Sequence, residues 1–306
     1  MSPTTVHLVN EFSVALHMGP GPHPDGTPQS VHAGGAPKRP AVPRPPARAK
    51  ADASDMAWLA KTSRSFERDS EGKLKAQRIM RFMGQSYPGA TAGDLRQMYD
   101  YTDAETGLSA ETYEIETIGT NNSDAWVSGL IVHGTVYDRD GKIAGSFIRK
   151  LDDRGNVEHN KFVMGPDYRG QGFGSRFYQN SEAVYRRIGV KAVHLNANMA
   201  VGGYAWARMG FDFAPGFNDA EDKQAVRRYS NYARALWQEE THGAAPFPDV
   251  QHAWEIAALT TPSGRRVGKE TLLGQAWSGV KRLTPGSPGV QVGDLYYATK
   301  TKQGVS

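Results

Sequence analysis

RGQGFG, Arg169 to Gly174, is the stretch from which the layout of this chain is read. Glycines at 170, 172 and 174 leave no side chain over the backbone, so successive N–H groups can converge on one point. Upstream lies a segment of strand character, NVEHNKFVM from Asn156 to Met164. Downstream, Phe173, Phe177, Val184, Tyr185 and Ile188 recur at helical spacing. A strand entering a helix through such a loop joins bare amides to the positive end of the helix dipole, and together they seat a pyrophosphate. The spacing is not the G-x-G-x-x-G of dinucleotide folds, and no G-K-[ST] follows as a P-loop requires. An ordinary glycine-rich turn is the plain alternative for the hexapeptide taken alone.

Working outward, TYEIETIG (Thr112 to Gly119), WVSGLIVHGTVYD (Trp126 to Asp138) and KIAGSFIRKL (Lys142 to Leu151) are rich in β-branched and aromatic residues. DRDG at Asp138 to Gly141 and DDRGN at Asp152 to Asn156 carry hairpin turn chemistry, so an antiparallel meander is expected to lead into the loop. Beyond the long helix, VKAVHLNA (Val190 to Ala197) predicts another strand. GGYAWARM (Gly202 to Met209) predicts a short helix closed by Gly210, and FDF resumes extended structure. Before the meander, DMAWLAKTSRSFERD, KLKAQRIMRFMGQ and AGDLRQMYDY space apolar residues at three or four, as amphipathic helices do.

RGQGFG also matches [QR]-x-x-G-x-[GA] and thereby resembles the cofactor signature of the GNAT acetyltransferases. NMAVGGYAWARMGF, Asn198 to Phe211, is similar to that family's later N-x-x-A…Y-x-x-x-G-F segment. The resemblance implies an α+β fold: a GNAT-like mixed sheet, with an antiparallel meander and a parallel pair at a CoA splay, flanked by helices. It implies acetyl-CoA as acyl donor. Phe162, Val163 and Met164 would then line the pantetheine arm, and the backbone of Arg169, Gly170, Gln171, Gly172, Phe173 and Gly174 would hold the pyrophosphate. Asn198 would bond the cofactor arm or orient the acceptor. The implied activity is N-acyl transfer to an amine by direct attack in a ternary complex, the acceptor being a small molecule, peptide or protein.

Amine acylation needs a base for the attacking amine and a donor for the departing thiolate. Glu158, eleven residues before Arg169, stands where histone-type members of the family place a basic glutamate, and a glutamate beside an apolar sheet would have its pKa raised. The competing reading is a surface carboxylate on an edge strand. His159 falls on the opposite face by strand alternation, while His133 and His194 are reserves. The family's tyrosine donor, four residues before the G-F pair, is replaced by Trp206, which cannot protonate a thiolate. Tyr204 is two residues earlier and turned about 200° from the expected face. The acid is therefore solvent, Tyr204 through local distortion, or absent. The last case makes the chain a non-catalytic CoA-binding module, and GPGPHPDGTPQSVHAGG from Gly19 resembles segments of phage head-associated proteins.

Composition sets the outer bounds. The 306 residues contain no cysteine, which excludes thiol nucleophiles, thiolate metal sites and disulfides. No metal is expected, since the tail histidines His7, His17, His23 and His32 are irregularly spaced. With no long apolar run, neither a membrane span nor a secretion signal is expected, and a cytoplasmic location is. The net charge is +4, with a basic C-terminal end that reads as a solvated surface; the alternative is a patch that attracts nucleic acid, acidic protein or an anionic cofactor, as an acetyltransferase acting on aminoacyl-tRNA would need. Three parts are expected: a disordered Pro/Gly-rich tail over 1–55, the acetyl-CoA-binding domain over 56–213, and a helical extension over 214–306. In the extension, Asp219 to Glu240, VQHAWEIAAL and KETLLGQAWSGVKRL read as helices, Asn218 as a cap, and DLYYATK (Asp294 to Lys300) as a late strand of the sheet. Trp237, Trp254 and Trp277 read as core anchors.

Overall fold

The computed structural model describes residues 53–63, 69–119, 127–197, 202–214 and 219–303. The N-terminal tail, Asn198 and Asn218 lie outside them. Four helices, α1 (Ala53–Thr62), α2 (Asp69–Ser86), α3 (Ala92–Tyr99) and α4 (Phe173–Arg187), accompany the strands β1 (Tyr101–Thr102), β2 (Ser109–Gly119), β3 (Val127–Tyr137), β4 (Ile143–Asp152), β5 (Asn156–Met164) and β6 (Ala192–Ala197). Next come α5 (Gly202–Arg208), β7 (Asp212–Phe213), α6 (Asp219–Thr241), α7 (Ala253–Ala258), α8 (Val267–Leu272), β8 (Trp277–Arg282) and α9 (Pro288–Gln303). One sheet contains all eight strands in the order β1-β2-β3-β4-β5-β6-β8-β7. The pair β5–β6 is parallel and every other neighbouring pair is antiparallel. This is the mixed α+β sheet that the sequence predicts.

The hairpins form where aspartate and glycine direct them. Asp138 accepts from the amides of Asp140 and Lys142 at 3.0 and 2.9 Å, and Asp152 from those of Arg154 and Asn156 at 3.0 and 2.7 Å. Strand alternation then sorts the faces. Val132, Arg149, His159 and Leu195 lie opposite one another across four strands on a buried rung. The adjacent rung, Ile131, Lys150, Glu158 and His194, is only partly buried. Tyr99, Phe173, Phe177 and Tyr185 from α3 and α4 are buried with the first rung, and Tyr99 and Phe177 lie against Phe147 at ring distances of 6.1 and 5.1 Å.

The extension departs from its predicted elements. Lys269 to Leu283 is not one helix: Gly274 takes φ 79°, which ends α8, and Trp277–Arg282 continues as β8. Asp294 to Lys300 is not a strand but part of α9, whose first residue is Pro288. The late strand is thus β8, inserted between β6 and β7. Trp237, Trp254 and Trp277 are buried, as anchors should be.

A buried ion pair joins these parts. Lys281 of β8 donates through Nζ to Glu182 of α4 at 2.8 Å and to the carbonyl of Met209 at 2.7 Å. Burial alone would raise the Glu182 carboxyl, but Lys281 and Arg186 hold it below its usual value. Replacing Lys281 with alanine should destabilise the fold by about 3–5 kcal/mol, because it removes one of the two cations on a buried carboxylate and leaves the Met209 carbonyl without its donor. Urea unfolding of the two proteins measures this, and a change under about 1 kcal/mol would refute it.

Candidate functional site

The parallel pairing of β5 with β6 runs from Asn156–Ala192 to His159–Leu195 and stops. Both strands continue, β5 to Met164 and β6 to Ala197, so a gap opens between them. A β-bulge sits at its root: Lys161 faces Ile148 and His159 faces Arg149, which leaves Asn160 without a partner on β4. Past the bulge, the ladder phase decides which polar groups face the gap. Gly165 N–H donates to Ala144 C=O at 2.8 Å, and alternation of the antiparallel ladder then turns the backbone N–H and C=O of Phe162 and Met164 away from β4. Of these, Met164 C=O is taken by Arg169 Nε at 2.9 Å.

The glycine loop stands at the open end of β5. Gly170 and Gly172 have φ of 77° and 83°, conformations that side chains disfavour, and a Cβ on Gly170 would meet open space. No amide from Gly170 to Gly174 donates to another backbone group among the described turn and cap bonds, whereas those of Ser175 and Arg176 donate to Gly172 C=O. Five N–H groups are thus left at the start of α4, with Arg169, Gly170 and Gln171 exposed. A Cβ on Gly174 would come within 2.9 Å of the Phe162 ring, so the loop rests directly on β5.

Arg176 holds the loop's shape. It forms a bidentate pair with Asp103 at 2.8 and 2.8 Å, reaches Glu105 at 2.8 Å, and donates to Gln171 C=O at 2.9 Å. Burial alone would raise the Asp103 carboxyl, yet hydrogen bonds from Arg176 and Thr106 hold it at about 2. In front of the loop, the hydroxyl of Tyr168 donates to Asp138 at 2.6 Å and is pushed up to about 12 by that bond.

The other residues singled out in the sequence fall as follows. Glu158 is half-buried on β5, two residues before the bulge, between Lys150 and His194 in register. Burial holds the His194 imidazole below its usual value against the pull of Asp152 and Glu158. His159 faces the core: its Nε2 lies 3.1 Å from the Tyr185 hydroxyl, and burial and Arg149 keep it neutral. Trp206 packs on His159, Tyr178 and Phe211 at ring distances of 6.1, 5.4 and 5.1 Å. Tyr204 is half-buried, its hydroxyl accepting from Arg266 of the extension at 2.9 Å. The structure thus joins Glu158, Phe162, Val163, Met164 and the loop along one strand and its exit, and gives Tyr204 a partner in the extension.

His133 of β3 stands with Glu114 and Glu116 of β2, their ligand atoms within 4.8 Å of one another, a set that could hold a divalent cation. A cavity of about 810 Å³ between α1, α3 and β1–β2 includes Trp58, Asp100 and Tyr101 in its walls but no residue of β5, β6 or the loop. Arg149, Arg176, Asp103 and Arg266 were not singled out in the sequence. Arg149 alone left a signal there, as a charge at the parity of Phe147 and Leu151.

A profile of the acetyltransferase (GNAT) family matches residues 95–211, the span that holds the meander, gap, loop and α4. That span resembles a GNAT-family domain. No curated protein matches it in sequence. Among solved structures it is similar to a GNAT family N-acetyltransferase from Escherichia coli in complex with CoA, at 18% identity over 53% of this chain and 66% of that one, TM-score 0.23. It is also similar to nourseothricin acetyltransferase, at 16% identity over 40% and 79%, TM-score 0.24. An acetyltransferase from Bacillus cereus matches at 19% identity over 22% and 48%, TM-score 0.20. The chain spans about half the length, 48%, of that Bacillus cereus protein. Among the described residues, no helix is long and apolar enough to cross a membrane.

Because Asp103 titrates at about 2 in the fold against 3.8 ordinarily, its stabilisation is complete above pH 3.8 and is lost as pH falls toward 2. Between about pH 5 and about pH 3, the Asp103→Asn variant should therefore lose less of its urea midpoint than the unaltered chain. Equal losses would show that the latch is not formed.

Proposed function

We propose that this chain binds acetyl-CoA and transfers its acetyl group to an amine. The observation that supports this most is the run of amides from Gly170 to Gly174, which donate to no other backbone group among the described residues and are set at a helix start beside a gap between parallel strands. A diphosphate fits such a cradle, since no Cβ crosses Gly170 and the helix end is positive. Arg169, Gly170, Gln171, Gly172, Phe173 and Gly174 would hold the diphosphate through their backbone. Phe162, Val163 and Met164 would line the pantetheine arm, with the outward N–H and C=O groups of β5 supplying its hydrogen bonds. Asn198, at the family's asparagine position, would contact the arm or the acceptor. When bound, the thioester supplies an activated acyl group.

The chain's own groups then handle protons. Glu158 is assigned the amine proton, which its carboxylate would take from the partly buried face of the sheet. Tyr204 is the candidate donor. Arg266 can only donate, so the Tyr204 oxygen accepts and its own proton stays free for another acceptor. The acceptor is an amine on a small molecule, peptide or protein, and nucleic acid is not invoked. Trp206 at the family's usual donor position favours a second reading, a CoA-binding module without catalysis. Release of free CoA in the presence of an amine pool separates the two.

Titrated calorimetrically with CoA, the Gly172→Glu variant should lose about a hundredfold or more in affinity, since its carboxylate repels the diphosphate. Equal affinity in both proteins would remove the cofactor assignment. Replacing Glu158 with glutamine should slow turnover about 100-fold with little change in CoA affinity. A rate profile that keeps its pH dependence after this change would take the base role from Glu158. The Tyr204→Phe variant should slow turnover about 10-fold or more with little change in CoA affinity, whereas an unchanged rate would assign the acid to solvent.

A further inference from the structure

Arg149 is the feature of this fold that packing does not explain. It sits on the buried rung of β4, with 3% of its surface exposed, among Tyr99, Tyr178, Tyr185 and His159. No carboxylate pairs with it among the described residues, and its Nε is buried without a partner. A buried cation in that state opposes folding. Its guanidinium lies 5.5 Å from the Phe147 ring and 5.8 Å from the Phe162 ring, and Nη1 donates to two carbonyls, Ile148 at 2.9 Å and Lys161 at 2.5 Å.

The second of those carbonyls gives the arginine a use. Lys161 C=O belongs to the same peptide group as Phe162 N–H, and in a trans peptide the two point in opposite directions. Fixing Lys161 C=O against β4 therefore fixes Phe162 N–H toward the gap, two residues past the unpaired Asn160. A charged donor on the carbonyl also polarises the peptide and strengthens the N–H at its far end. We propose that Arg149 is a positioning residue for the acyl-CoA arm, acting through the Lys161–Phe162 peptide to hold and strengthen an N–H donor at the root of the gap. This rests on the acetyl-CoA reading above. The buried charge persists because its effect is felt on the ligand rather than in the fold.

The test is calorimetric titration with CoA, together with thermal unfolding without CoA, for the unaltered chain, Arg149→Met and Arg149→Lys. For Arg149→Met, CoA affinity should fall about tenfold, the worth of one charge-assisted hydrogen bond, while the melting temperature of the free protein holds or rises because an unpaired buried charge is gone. A parallel fall in melting temperature and affinity would mean a purely structural arginine and would overturn the proposal, as would unchanged affinity. If the methionine variant does not fold, Arg149→Lys keeps the charge and loses the fork: a weakened affinity for CoA supports the proposal, and an undiminished one ends it. Absence of CoA binding in the unaltered chain would instead sink the acetyl-CoA reading, and this inference with it.

Discussion

The planarity of the trans peptide, combined with arginine side chains clamped on carbonyls, governs the region around the gap. Each peptide group has two ends, and fixing its oxygen fixes its hydrogen. Arg149 is bonded to Lys161 C=O, Arg169 to Met164 C=O and Arg176 to Gln171 C=O. Two of these clamps turn the N–H of Phe162 and Gly172 away from the protein. The third leaves Gly165 N–H directed at Ala144 C=O, which sets the ladder phase for β5. An arrangement of bare amides is costly to keep by glycine alone, because glycine is the least restrained residue. The arginines supply the restraint that the glycines lack.

This division of labour extends to the sheet. The covered face carries the aromatic cluster that fixes α4: Phe177 lies against Phe147, Phe162, Tyr101 and Phe173 at ring distances between 5.1 and 6.1 Å. The start of α4 is therefore tied to the strands by rigid rings, and the loop preceding it is held by Arg176 and Asp103. The opposite face is only partly buried and presents Glu158 between Lys150 and His194. A group that must meet solvent or a substrate thus stands on the less covered side, while the buried polar groups stay with the helices.

Much of this was legible in local sequence. The meander, its two aspartate-glycine turns, the glycine loop and α4 are local patterns, and periodicity plus turn chemistry reveal them. The position of Trp206 and the rotation of Tyr204 also follow from counting along one helix. What was not legible depends on distant partners. Asp103 and Arg176 are 73 residues apart, and Tyr204 and Arg266 are 62 apart, so nothing in either neighbourhood announces the pair. The extension misled for a different reason. Leu272, Leu273, Trp277 and Val280 mimic helical spacing across Gly274, while the Tyr296–Tyr297 pair has strand propensity inside α9. Tertiary placement overrode both signals.

The strand order also has a consequence for how the molecule is made. β8 occupies the slot between β6 and β7, so the outer edge of β6 remains without a ladder until the ribosome has passed Arg282. Until then His194 and Leu195, neighbours of the gap, border an open strand edge of the kind that recruits other chains. The strand that closes it comes well after β6 in the chain, so protection of the border of the gap waits on a distant segment.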